Sequence, residues 1–263
     1  MINIIYPTIL IHGIGGDSGD LINLQASLEN RGVPVYNIDI GNGKFDSIFM
    51  NMNKQCDLFG ENIENLSIDG KINLIGISQG GLLARCYVEK YSHKINQVHS
   101  LITYGTPHMG FYHEFMKIPY LEYWKNPYKY NDYLETNDFL VYLNNEKYHE
   151  NMDLYRMNLS KISYFVLIWS EKDSIINPIE SAKFEFYNIT EGKLYYPMPL
   201  NVVKLSKSNI FINDSVGLKY LFENNALIIK QYGCNHEEFK SPKCYLNASL
   251  ASQSLLNFTI KYL

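Results

Sequence analysis

Residues Asn73 to Gly81 read Asn-Leu-Ile-Gly-Ile-Ser-Gln-Gly-Gly, and no other stretch limits the fold of this chain so narrowly. An apolar run (Ile72, Leu74, Ile75, Ile77) ends at Ser78, with glycines at Gly76, Gly80 and Gly81. A helical pattern then starts through Leu82, Leu83, Ala84, Tyr87 and Val88. Strand, tight turn with one serine, then helix is the arrangement of a nucleophile elbow. The turn strains its serine, so the residues two before and two after it must lack bulk where strand and helix approach. The helix N-terminus aims backbone N–H groups at any oxyanion that forms beside Ser78. A bare Gly-x-Ser-x-Gly also arises by chance; its place between a buried strand and a helix gives it weight here.

The rest of the chain supplies the matching frame. Buried strands are expected at Thr8–His12, Val33–Ile40, Ile72–Ile77, Val98–Tyr104, Tyr164–Trp169 and Ala226–Lys230. Helices are expected at Leu21–Arg31, Phe45–Leu66, Leu82–Tyr91 and Leu250–Tyr262. Strands alternating with helices predict a mostly parallel sheet covered on both faces. With the elbow, this gives an α/β fold of the α/β-hydrolase type. At 263 residues and 46% hydrophobic, the chain can bury one large core, and a single domain is expected. From about His108 to Ser160 the alternation stops in a segment rich in Tyr, Trp, Phe, Asn and Pro. It is read as a helical cap inserted over the strand C-termini, where open α/β sheets bind ligands.

A serine nucleophile requires a base within hydrogen-bond reach and a group that orients the base, in the chain order Ser, Asp or Glu, His. Asp173 lies on the loop leaving the strand Tyr164–Trp169 and is preferred to Glu171 as the acid. Among seven histidines, only His236 follows the last strand and precedes the terminal helix, so it is the base. His12 and His108 adjoin glycine-rich loops and are read as shaping them. His93 and His99 are read as solvated, and His113 and His149 fall in the cap. The oxyanion hole needs two backbone amides. The elbow gives the N–H of Gln79, and the strand opening into His12-Gly-Ile-Gly-Gly16 gives that of Ile14.

Net charge is −4, too small to imply nucleic acid or an acidic membrane as partner. No apolar run reaches the length of a membrane span. No room for a signal peptide is visible before the first strand, so the chain is either cytosolic or has had its signal removed. The four cysteines form no zinc spacing. Cys56 and Cys86 are read as buried free thiols, whereas Cys234 and Cys244 flank a loop and could bridge. Sequons at Asn65, Asn158, Asn188, Asn213, Asn247 and Asn257 give slight support to secretion. Nothing implies a metal or cofactor, and the sequence leaves oligomeric state open.

These residues resemble the palmitoyl-protein thioesterases almost end to end. The likeness is carried by Ile11-His-Gly-Ile-Gly15, Gly76-Ile-Ser-Gln-Gly-Gly81, Tyr123-Trp-Lys-Asn-Pro127 and Phe139-Leu-Val-Tyr-Leu-Asn-Asn145. It continues through Asp173-Ser174 with Pro178, Phe184-Glu-Phe-Tyr187 and Asp214-Ser-Val-Gly-Leu218. The resemblance implies a lysosomal α/β-hydrolase that removes fatty acyl groups from cysteine thioesters of proteins or peptides, or from acyl-CoA. It places the family's catalytic serine on Ser78, its aspartate on Asp173, its histidine on His236, and its oxyanion amides on Ile14 and Gln79. It implies no cofactor, and a lysosomal or secretory location, with the cytosol still open. Two departures stand: Tyr104-Gly-Thr-Pro-His-Met-Gly110 is closer to the version in true lipases, and the cysteines do not sit where the family's disulfides are expected. Alternatives are an oxyester lipase or carboxylesterase, and a catalytically inactive lipid-binding homologue.

Overall fold

The computed structural model describes residues 5–114, 121–189, 200–247 and 253–263. Its centre is a six-stranded sheet built from β1 (Thr8–Ile11), β2 (Val35–Ile38), β3 (Ile72–Ile77), β4 (Val98–Tyr104), β5 (Tyr164–Trp169) and, after two short strands, β8 (Leu227–Gln231). The order is β2-β1-β3-β4-β5-β8, and every neighbouring pair is parallel. β1 and β3 are buried at every position, as continuous apolar runs in a sheet covered on both faces should be. Successive side chains feed opposite faces. Ile9, Ile11, Leu74, Leu101, Phe165 and Leu167 pack into one core, while Leu10, Ile75, Ile102, Val166 and Ile168 pack into the other.

The helices follow in chain order: α1 (Ile22–Glu29), α2 (Lys44–Phe49), α3 (Met52–Asn65), α4 (Gln79–Tyr91), α5 (Tyr130–Thr136), α6 (Leu140–Leu143) and α7 (Met152–Ser160). Beyond β5 come the antiparallel pair β6 (Phe186–Tyr187) and β7 (Val202–Val203), then α8 (Asn209–Ile212) and α9 (Leu218–Glu223). After β8 stand α10 (Pro242–Tyr245) and α11 (Leu255–Ile260). Between β5 and β8 the described residues thus carry a second set of short elements.

Several expectations change at the level of elements. The helix expected over 45–66 is two helices, because Met50 is extended (ψ 138°) and the Asn51 side chain caps the second. Its oxygen accepts from the N–H groups of Asn53 and Lys54 at 2.9 and 3.2 Å, the competition with the backbone that suits Asn to a cap. In the 108–160 segment, α7 packs against α4 beside the sheet, in the position of an ordinary crossover helix. The terminal helix expected from Leu250 begins at Leu255, capped by Ser254; 248–252 lie outside the described residues. His99 belongs to β4 and is half-buried, not solvated.

The cysteines also require correction. Cys56 and Cys86 are not free thiols: they form a disulfide joining α3 to α4, Cα–Cα 6.2 Å. They lie 30 residues apart on packed helices, so only tertiary structure brings them together. Cys234 and Cys244 do bridge, at a Cα–Cα distance of 5.7 Å. Of the sequons, Asn158 is buried and its amide donates to the Glu89 carbonyl at 2.8 Å, so this site is closed in the folded chain.

Candidate active site

β3 and α4 meet at a turn with almost no spare volume. Ser78 takes φ 54° and ψ −125°, a conformation costly for a residue with a Cβ. Its N–H donates to the Tyr104 carbonyl at 2.8 Å, and its carbonyl accepts from Gly81 at 3.0 Å. A Cβ on Gly76 would stand 2.5 Å from the Gly80 and Gly81 backbone, and one on Gly81 would overlap Thr106 outright. The glycines flanking the serine are therefore steric requirements of the turn. Gln79 is the first residue of α4, so its N–H has no intrahelical acceptor.

Asp173 and His236 arrive from separate loops and meet. Asp173 follows β5, and its Oδ1 accepts from the N–H groups of Ile175 and Ile176 at 2.9 and 3.0 Å. Its Oδ2 lies 2.8 Å from His236 Nδ1. A carboxylate can only accept here, so Nδ1–H donates and Nε2 is left for proton exchange. His236 opens a short 3-10 turn (His236–Lys240) whose cap, Asn235, makes a capping box with Glu238. Two residues before the histidine, Cys234 is stapled to Cys244. Asn235 also accepts from Ser174 Oγ at 3.2 Å, linking the acid's loop to the base's turn. Asp173 and His236 are 7% and 6% exposed. Glu171, the rival acid, points to solvent.

Ser78, His236 and Ile14 line one pocket, together with His12, Gly13, Leu21, Ile77 and Ile175. The structure thus brings together all five residues that the sequence singled out: Asp173 sits behind His236, and Gln79 follows Ser78. Among the described residues lining this pocket none comes from 108–160. That segment reaches the site from behind, where Tyr123 O–H donates to Gln79 Oε1 at 3.1 Å. On the rim, Lys240 lies 2.8 Å from Glu237 and 3.3 Å from Asp20. Partial burial works to lower its ammonium pKa, but the two carboxylates outweigh this and raise it. Among the described residues no group of three or more His, Cys, Asp or Glu could hold a metal ion.

Sequence reading overlooked Gly105, in the Gly-Thr-Pro-His segment after β4. It has φ 53°, and a Cβ there would lie 3.1 Å from Asp173 Oδ2 and 3.2 Å from His236 Nδ1. A glycine directly after a buried strand was the available signal. His108 does not merely shape a loop. Fully buried, it stacks on Phe184 at 4.5 Å and meets Thr103 Oγ1 at 3.0 Å. Burial, helped by Arg85, drives its pKa well below the usual histidine value, so it is a neutral core residue.

Comparison with known proteins fits this geometry. A profile of the family described as palmitoyl protein thioesterase matches residues 7–120 and 116–236. Palmitoyl-protein thioesterase 3 of Dictyostelium discoideum is 31% identical over 281 residues, covering 98% of this chain and 92% of its own. The human lysosomal thioesterase PPT2 is 24% identical, covering 84% and 78%. Among solved structures, a monoacylglycerol lipase from Paleococcus ferrophilus superposes with a TM-score of 0.54 at 17% identity, over 98% of this chain and 95% of that one. A Listeria innocua protein does so with 0.52 at 14% identity, over 90% and 89%. At such identities the structural likeness speaks for the α/β-hydrolase fold alone. Fold and relatives together make this protein a thioesterase of the α/β-hydrolase class, and the chain belongs to the palmitoyl protein thioesterase family.

Proposed function

We propose that this protein hydrolyses long-chain fatty acyl thioesters, palmitoyl among them, on cysteines of proteins or peptides or on acyl-CoA, through an acyl-serine intermediate. His236 Nε2 takes the proton of Ser78 Oγ as the oxygen attacks the thioester carbonyl. Asp173 holds the imidazole in the tautomer that leaves Nε2 free and stabilises the imidazolium. The N–H groups of Ile14 and Gln79 stabilise the tetrahedral oxyanion. The thiol then leaves; with a pKa near ~8.5 it needs far less acid assistance than an alkoxide. Water, deprotonated by the same histidine, attacks the acyl-serine and releases the fatty acid.

The observation that carries this reading is the 2.8 Å Asp173–His236 bond beside the pocket that His236 shares with a serine held at positive φ. The acyl chain would meet Ile14, Leu21, Ile77 and Ile175, and 108–160 is read as an insertion within a single domain that backs the site through Tyr123 rather than capping this pocket. A lysosomal or secretory location is part of the same proposal. It is supported by relatives named lysosomal thioesterases and by two disulfides, which persist in oxidising compartments. The test is turnover of palmitoyl thioesters by Ser78→Ala, which should fall on the order of 10⁴-fold or more. Near wild-type turnover in that variant would overturn the mechanism. Running the matched palmitoyl oxyester beside the thioester separates a thioesterase from a lipase or carboxylesterase by kcat/KM.

A further inference from the structure

Two loops supply the amides of the proposed oxyanion site, and one residue touches both, through its side chain on one and its backbone carbonyl on the other. Ser47 lies in α2, 2% exposed. Its hydroxyl accepts from the N–H of Gly15, the neighbour of Ile14, at 2.9 Å, and donates to the Lys44 carbonyl at 2.8 Å. Its own carbonyl stands in the last turn of a helix that stops at Phe49, where intrahelical donors run out. That carbonyl instead takes the Gln79 side chain, Nε2 to O 2.7 Å. The same Nε2 donates to Gln55 Oε1 at 3.0 Å, and Gln79 Oε1 accepts from Tyr123. The break at Met50 and Asn51 is what ends α2 in time to expose this carbonyl.

The elbow does not need Ser47 for its own shape, since glycine contacts and the Ser78–Tyr104 backbone bond fix it. The 13–16 loop is less constrained. Its internal bond, Gly16 N–H to the Gly13 carbonyl, is 3.2 Å long, and Gly15 sits at φ 67°. Oxyanion donors act only when held at about 2.7–3.1 Å from the developing charge. A misplacement of about 1 Å can cost on the order of 10²-fold in rate. We propose that Ser47 is a positioning residue of the oxyanion site: it sets the separation between the Ile14 and Gln79 amides by holding one loop through its hydroxyl and the other through its carbonyl. This rests on the reading of Ser78 as nucleophile.

The test compares wild type with Ser47→Ala, Ser47→Thr and Gln79→Met. Gln79→Met keeps the backbone amide and the chain length while removing the side-chain donor. Four quantities are measured: kcat and KM on a long-chain acyl thioester, inhibition by a long-chain trifluoromethyl ketone, and binding of the matching thioether. The ketone forms a tetrahedral oxyanion on the serine; the thioether has no carbonyl. Ser47→Ala should lower kcat and ketone affinity together, on the order of tenfold or more, leaving KM and thioether binding unchanged. Gln79→Met should give the same pattern, and Ser47→Thr, which keeps the hydroxyl, should recover most of the loss. The proposal falls if Ser47→Ala binds the ketone like wild type, or if it weakens ketone and thioether alike. Should Ser47→Ala fail to fold, Gln79→Met decides by the same criteria. Ser78→Ala should lose the ketone adduct but still bind the thioether; if it keeps turnover, the reading of the site itself fails, and the role of Ser47 with it.

Discussion

At the residue scale, the site depends on atoms that are absent as much as on those present. Gly105 leaves room under the Asp173–His236 bond that no side chain could share. Its φ of 53° also disfavours any L residue with a Cβ. Gly105→Ala should therefore push the acid–base pair apart, lowering kcat on the order of 10²-fold with a smaller effect on KM. Steady-state kinetics on an acyl thioester checks this, and unchanged kcat would show that the pair tolerates the intrusion. The candidate acid offers a second lesson at this scale. Asp173 and Glu171 are two residues apart on one loop, and only the turn that folds Ile175 and Ile176 N–H onto Asp173 turns it inward.

At the element scale, the two disulfides serve different parts of the fold. Cys56–Cys86 ties α3 to the elbow helix across 30 residues, and Cys234–Cys244 closes a loop of 10 that carries His236. Loop-closure entropy assigns about 3–4 kcal/mol to the longer bridge and about 3 kcal/mol to the shorter. Replacing Cys56 and Cys86 by Ala should thus lower stability by that larger amount while leaving kcat per folded molecule near wild type. Replacing Cys234 and Cys244 should reduce kcat more than its stability loss explains, because the histidine's turn is freed. Denaturant unfolding and active-site titration on the same samples separate the two outcomes. Equal kcat losses in both pairs would contradict this division. The sequence could not pair Cys56 with Cys86, since periodicity places each on a helix without saying which helices touch.

Over the whole molecule, buried ionisable groups set a pH dependence whose sign can be worked out. Glu122 accepts from Met52 N–H and the Asn51 side chain. Burial, together with the nearby Asp138, pushes its pKa from 4.5 up to about 7. Burial likewise raises Glu89, despite its partner Arg85 at 3.0 Å. A folded carboxyl with a raised pKa binds its proton more tightly than the unfolded one. Its contribution is therefore full below the unfolded value and lost as pH rises through the folded value. His93, His99, His108 and His149 are lowered from 6.5, mainly by burial, so they contribute above that value and lose their contribution as pH falls below it. From about pH 9 down to about 7 the glutamates take up protons in the folded state while the unfolded histidines are still mostly neutral, so unfolding free energy should rise as pH falls through that window. Glu122→Gln should flatten part of that rise in denaturant titrations at several pH values. A stability that instead falls steadily from about pH 9 to about 7 would reverse the sign argued here.

The sequence by itself marked the central strands, the turn after β3 and the candidate side chains at the strand ends. Continuous apolar runs specified the central strands β1 and β3, buried on both faces, though the edge strands β2 and β8 prove partly exposed. Gly76 to Gly81 specified a turn that holds its serine at positive φ. Chain order then singled out Asp173 and His236, because each of these signals lies within a few residues of its own element. Contacts between distant segments were decided by the tertiary structure alone: the Cys56–Cys86 bridge, Gly105 beneath the Asp173–His236 bond, and Ser47 between the 13–16 loop and Gln79. The physical reason is that periodicity and turn chemistry act over one or two turns of chain. Which faces meet depends on how whole helices pack on the sheet, and no local pattern records that.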